Sequence, residues 1–245
     1  MTSRTTRVLT ATAASLLAAA SLGCGLLDQA KDLVGTAQVL SSFADRLGKA
    51  AELTYTADYQ VTGGTTVTLV QQPPNAAFIA AESRFISTPE TLYFCSSEMG
   101  DLTCQKTANQ AAAVGAADAG LVAGATGPGF ITPEVALGLI AAAAFVPNAQ
   151  VSQSEKTIAD QPSLCATVTG LEAANTEGTT DAPKDFSVCV TDAGILASFS
   201  GTLISGETAS IELTKYEATA DAAAFAPPPG TNVVDVDQIA LPPTP

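Results

Sequence analysis

Apolar and polar residues alternate with different periods in different parts of this chain. From Gly25 to Leu53, Leu26, Leu27, Leu33, Val34, Val39, Leu40, Phe43 and Leu47 recur at three-to-four spacing, with Lys31, Asp32, Asp45, Arg46 and Lys49 between them. That spacing places an apolar stripe on a helix, continuous or interrupted near Gly35. At Leu53 the period becomes two. Leu53, Tyr55, Ala57, Tyr59 and Val61 alternate with Thr54, Thr56, Asp58, Gln60 and Thr62, which predicts a strand with one covered and one wet face. Gly63-Gly64 is a tight-hairpin signal, and Thr65 to Gln71 returns with Val67 and Leu69 on one face. Short strands follow at Ala76 to Ala80, Ser83 to Ser87 and Thr91 to Ser96, separated by Pro- and Gly-containing turns, and Cys104 returns beside Cys95. This is the pattern of an antiparallel meander.

The middle of the chain reads differently. Thr107 to Gly124 is rich in Ala and Gly and predicts at most a weak helix. Thr132-Pro133-Glu134 is a strong helix start, with an N-cap Thr, Pro in the first turn and an early acid. Val135 to Phe145 is apolar on every side, so it must be buried or border a cavity, and Pro147 ends it. Strands resume at Ser163 to Gly170, and Phe186, Val188 and Val190 alternate with Ser187 and Cys189. A turn at Thr191-Asp192-Ala193-Gly194 leads into strands at Ile195 to Thr202 and Ser210 to Tyr216, and the end from Thr231 reads as an acidic, Pro-rich tail.

The N-terminus changes the picture of where this body works. Arg4 and Arg7 precede an uncharged, Ala- and Leu-rich run that closes on Ser21-Leu22-Gly23-Cys24. This is the three-part layout of a secretory signal, too short to span a bilayer. The closing tetrapeptide reads as a lipobox, with Ser21 where Leu is usual, so Cys24 is the expected acylation site. An ordinary signal peptide with an incidental cysteine is the alternative. Loss of residues 1–23 removes two Arg, leaving 8 Lys and Arg against 24 Asp and Glu, a net charge of −16. Such a chain repels nucleic acid and anionic membrane surfaces, so an acyl anchor on the extracytoplasmic side of the cell membrane, not a basic patch, would hold it there.

Cys95, Cys104, Cys165 and Cys189 form an even set in an exported chain, which points to disulfides. Three pairings exist. Cys95–Cys104 and Cys165–Cys189 are favoured because each joins neighbouring predicted strands. Closing those loops contributes about 2.7 and about 3.5 kcal/mol in the chain-entropy model. A four-cysteine metal site lacks any Cys-x-x-Cys pair.

The chemistry of catalysis is thin. There is no His, which removes a Ser-His-Asp triad and most neutral-pH acid–base and metal chemistry. No Gly-x-Ser-x-Gly elbow, Ser-x-x-Lys box or phosphate-cradling Gly loop occurs. Asp235 and Asp237 could hold calcium, but read better as a solvated run on the tail. A protein without catalysis, cofactor or metal is expected.

The order of parts resembles the lipid-carrying lipoproteins of mycobacteria and relatives, the LppX and LprG type, whose fold is similar to the LolA and LolB carriers. The residues that prompt this are Leu53 to Tyr59, the helix before them, and Ile211 to Tyr216 followed by Phe225-Ala226-Pro227-Pro228-Pro229-Gly230. The resemblance implies an α+β fold: a strongly curved antiparallel sheet, a half-barrel, wrapped around helices. It implies a signal peptide at 1–23, a helical segment at 24–52, a half-barrel at 53–236 with a helical insert at 108–147, and a Pro-rich tail at 237–245. It also implies binding or transport of an acylated lipid or glycolipid between the sheet and the helices. Tyr55, Tyr59, Val67, Leu69, Phe94, Leu137, Ile140 and Phe145 are the candidate lipid-binding wall, and the same residues would serve as ordinary core. The alternative is an anchored scaffold that binds another envelope protein through the polar, Thr-rich outer strand faces.

Overall fold

The computed structural model describes residues 38–47, 49–98, 101–109, 133–143, 145–146, 149–174 and 183–238. The signal segment, Cys24, the first part of the predicted N-terminal helix, the Ala/Gly-rich stretch after residue 109 and the end of the tail lie outside the described residues.

The described chain is dominated by one sheet. A helix, α1, at 38–47 and 49–50 precedes it. Six strands then run as a meander: β1 (Tyr55–Val61), β2 (Thr66–Gln72), β3 (Asn75–Ile79), β4 (Ser83–Ser87), β5 (Thr91–Glu98) and β6 (Asp101–Ala108). Helix α2 (Pro133–Ala143) follows, and then β7 (Gln150–Ile158), β8 (Gln161–Thr169), β9 (Pro183–Thr191), β10 (Leu196–Leu203) and β11 (Thr208–Glu217). A last short strand, β12 (Asn232–Asp235), completes the set. The twelve strands form one open sheet in the order β12-β6-β5-β4-β3-β2-β1-β11-β10-β9-β8-β7. The two meanders join where β1 pairs with β11, and every pairing is antiparallel except that of β12 with β6.

The alternation at the start of the meander sets the register. Tyr55, Ala57 and Tyr59 face Gln71, Leu69 and Val67 across β1 and β2, so all six lie on one face of the sheet. On that face Tyr55, Ala57, Tyr59, Ile211, Leu213, Phe199, Val188, Val190, Ala166 and Val168 share a single core cluster with Val39 and Phe43 of α1 and Ala136, Ile140 and Ala143 of α2. Both described helices therefore pack on the same face, against β1 and β8–β11. We call it the helix face.

Helix α1 is docked by more than its apolar stripe. Arg46 pairs with Asp192 at 2.5 Å in the β9–β10 turn, and Gln71 Nε2 donates to the carbonyls of Ala50 and Leu53 at 2.7 and 3.1 Å. Gly194 lies against the helix main chain. Its φ is +91°, and a Cβ there would overlap the Arg46 carbonyl.

Both disulfides lie on the opposite, outer face. Cys95 faces Cys104 across β5 and β6, and Cys165 faces Cys189 across β8 and β9, with Cα–Cα distances of 3.9 and 4.0 Å. A bulge after Leu196 turns Ala197 to this face, where it packs on the Cys165–Cys189 bridge with Ile158. The rest of the outer face is mostly polar, and one part of it is covered. The chain after β11 crosses it as a strap: Ala220, Ala224 and Phe225 pack on Val70, Ala77 and Ile86 around a short 3-10 turn at Ala222–Phe225, which Asp221 caps.

Several elements differ from the sequence reading. β7 is a full strand that the pattern did not show. It is a sheet edge exposed on both faces, with Glu155 and Lys156 in its middle, so it carries no alternation. Its turn into β8 is formed by Ala159 and Asp160, with φ of +47° and +60°, residues that carry no strong turn signal. A left-handed Ala costs roughly 1–2 kcal/mol. Ala159→Asn is therefore expected to raise the unfolding free energy by about 0.5–1 kcal/mol in a denaturant titration, since Asn tolerates this turn position. The insert boundary at 108 also shifts, because Ala108 belongs to β6 and pairs with Thr91. Helix α2 is not buried all round. Ala136, Ile140 and Ala143 are buried and Leu137 and Leu139 half-buried, while Gly138 and Ala142 are exposed. The segment from Thr231 contains β12, and Asp235 and Asp237 are bonded to β6 as well as accessible to water. Asp235 meets Lys106 at 3.5 Å, and Asp237 accepts hydrogen bonds from Thr107 Oγ1 at 2.9 Å and Ala108 N at 2.6 Å.

Candidate functional site

The helix face is the one large apolar surface of the described sheet, and it is wider than the part on which α1 and α2 sit. One row of facing residues runs across it strand by strand: Ala57 on β1, Leu69 on β2, Phe78 on β3, Phe85 on β4 and Phe94 on β5. Successive strands lie about 4.8 Å apart, so the row is about 19 Å long from Ala57 and about 14 Å from Leu69 to Phe94. Ala57 belongs to the helix-packed cluster, and Leu69 packs against that cluster. Val67, Phe78 and Phe85 form a second cluster, with Val61, Ala80 and Leu92 packed against it. Phe94, at the far end, is 41% exposed.

The predicted wall residues distribute along this face. Tyr55, Tyr59 and Ile140 are buried together in the main cluster, with Leu69 and Leu137 half-buried against it. Val67 is buried in the second cluster. Phe94 is on the same face two strands beyond Phe78. Phe145 stands apart, 86% exposed just past the end of α2. Phe78 and Phe85 complete the row, Leu92 packs beside it, and none of the three was among the wall candidates. Their strands are apolar on both sides, because Ala77 and Ile86 lie under the strap, so a two-residue period could not show which side the helices take.

The electrostatics of the face are those of an apolar interior. The Tyr59 phenol is held well above its ordinary value of 10.0, first by burial and then by Tyr55 beside it. The unfolded chain ionises this phenol above about pH 10 more readily than the folded chain does. Its contribution is complete below pH 10 and is lost as the pH rises. Stability should fall above pH 10 by about 1.4 kcal/mol more per pH step than in Tyr59→Phe, measured as denaturant midpoints across pH 9 to 11.5. The charged groups lie elsewhere. Asp58, on the outer face, accepts from Thr68 Oγ1 at 2.6 Å, and Lys215 pairs with Glu217 at 2.9 Å, a contact that raises the lysine's pKa. Among the described residues no group of three or more His, Cys, Asp or Glu is placed to hold a metal ion.

No protein-family model matches the chain, and no curated protein matches it. Among solved structures it is similar to an uncharacterized conserved protein from Thermus thermophilus, at 9% identity over 80% of this chain and 98% of that one, with a TM-score of 0.43. It is also similar to the Mycobacterium tuberculosis lipoprotein LppX, at 13% identity over 75% of this chain and 97% of that one, with a TM-score of 0.41. At these values the chain is assigned to no family.

Proposed function

We propose that this protein is an extracytoplasmic lipoprotein, anchored through acylated Cys24, that binds or carries an acylated lipid on the helix face of its sheet without catalysing a reaction. In this reading the sheet curves as a half-barrel around α1 and α2, and the acyl chain lies along the row from Leu69 to Phe94. The observation that carries the reading is the extent of the apolar helix face, which continues beyond the helix-packed half through the buried Phe78 and Phe85 and opens at the exposed Phe94. The two cross-strand disulfides fit an oxidising compartment outside the cytoplasm.

Two measurements test it separately. Cell fractionation should place the wild type with membranes and release Cys24→Ser into the soluble fraction; membrane retention of Cys24→Ser rules out the anchor. Native mass spectrometry of the full chain extracted from membranes should show co-purifying lipid, lost in Phe85→Glu. A folded, lipid-free wild type rules out the ligand.

A further inference from the structure

We propose that the edge of β6 on which β12 lies is a strand-addition site, and that β12 of a second copy of this chain occupies it in exchange for the chain's own β12. Three features of the edge point to exchange. The occupant is weakly held by apolar contact. β12 is four residues long, runs parallel to β6 in an otherwise antiparallel sheet, and leaves Val233 and Val234 42% and 37% exposed. Besides its four-residue pairing with β6, what holds it is polar: Asp235 to Lys106 at 3.5 Å, and Asp237 to Thr107 Oγ1 and Ala108 N at 2.9 and 2.6 Å. Elements with few buried apolar contacts open locally at low cost.

The receiving edge, by contrast, is fixed. β6 pairs with β5 along its whole length, and Cys104, which stands opposite Val233, is bonded to Cys95. When β12 leaves, β6 keeps its place and presents an unpaired edge, which is a template for another strand.

The strap upstream of β12 is anchored independently. Ala224 and Phe225 pack on the outer face at Ala77 and Ile86, so opening is confined to the segment after Pro227-Pro228-Pro229-Gly230, where Gly230 has φ of +83°. The committed occupant is a second copy, because Lys106 selects an acidic strand and this chain's own segment satisfies the whole clamp. Exchange reproduces every cis contact and requires no new one. Copies with a net charge of −14 repel, so added salt should favour exchange.

Two full-length variants test this. Asp235→Ala/Asp237→Ala removes the strand's clamp and keeps a competent edge. Lys106→Glu spoils the edge and keeps a competent strand. Mixed at high protein concentration and read by native mass spectrometry, they should form a heterodimer roughly tenfold more abundant than either homodimer. A synthetic peptide covering residues 230–240 should suppress it. Hydrogen exchange over Thr103 to Lys106 should be faster in the double-Asp variant alone than in the wild type, and slow again in the heterodimer. The proposal is overturned if both variants keep the wild-type melting transition and no heterodimer enrichment appears. It is equally overturned if those β6 amides are as protected in the double-Asp variant as in the wild type. Neither readout depends on bound lipid.

Discussion

Phe43→Ala is expected to lower the unfolding free energy by about 3–5 kcal/mol, measured by denaturant titration. Phe43 is 1% exposed and, with Val39 one turn earlier, is the part of α1 that enters the main cluster. Its ring lies in a cluster shared with α2 and with strands fixed by ladder pairing, two of which, β8 and β9, are also joined on their other face by the Cys165–Cys189 bridge. Such strands relax little, so truncation leaves most of the ring's volume empty, and the cavity cost adds to the lost transfer energy. Phe43→Leu, which keeps much of the volume, should cost less than half as much.

Gly194→Ala is expected to be nearly as damaging although it adds one methyl group. At φ of +91° an alanine is strained wherever it sits, by roughly 1–2 kcal/mol. Here the added Cβ also meets the main chain of α1 at Arg46 and approaches Ala50 N at 3.1 Å. A side chain could rotate away, but helix backbone cannot. The helix end must lift, weakening the Arg46–Asp192 pair and the Gln71 cap on Ala50. The expected total is on the order of 3 kcal/mol. Gly63→Ala, at φ of +90° with nothing near its Cβ, should cost only the backbone part. Because Phe43→Ala and Gly194→Ala both act by undocking α1, the double variant should lose clearly less than the sum of the two.

Much of the first meander was legible because its strands obey a simple rule. β1 has one buried and one wetter face, so Tyr55, Ala57 and Tyr59 announce both the strand and its core side. The Cys95–Cys104 pairing followed from the same meander, and Cys165–Cys189 from the neighbouring strands of the second. β7 and β12 were illegible for the opposite reason. Edge strands bury little, so their side chains need not alternate, and Asp235 and Asp237 read as solvated acids until β6 supplies Thr107 and the Ala108 amide. The helix face was legible only in part. Tyr59, Val67 and Leu69 could be assigned to one side, but Phe78 and Phe85 lie on strands with apolar residues on both sides. Only the strap, a contact between distant parts of the chain, decides which side is which. The close approach at Gly194 marks a turn in the sequence; its contact with α1 depends on how the helix docks.

The account depends most on an acyl chain lying along the helix face between Leu69 and Phe94. Photo-crosslinking tests this directly: incubate the full chain with a diazirine-bearing fatty acid, irradiate it, and map the adducts by peptide mass spectrometry. Adducts should concentrate on peptides carrying Phe78, Phe85, Leu92 and Phe94, and added natural lipid should compete them away. Adducts confined to outer-face residues such as Thr68 or Lys215, or none above the unirradiated control, would contradict it.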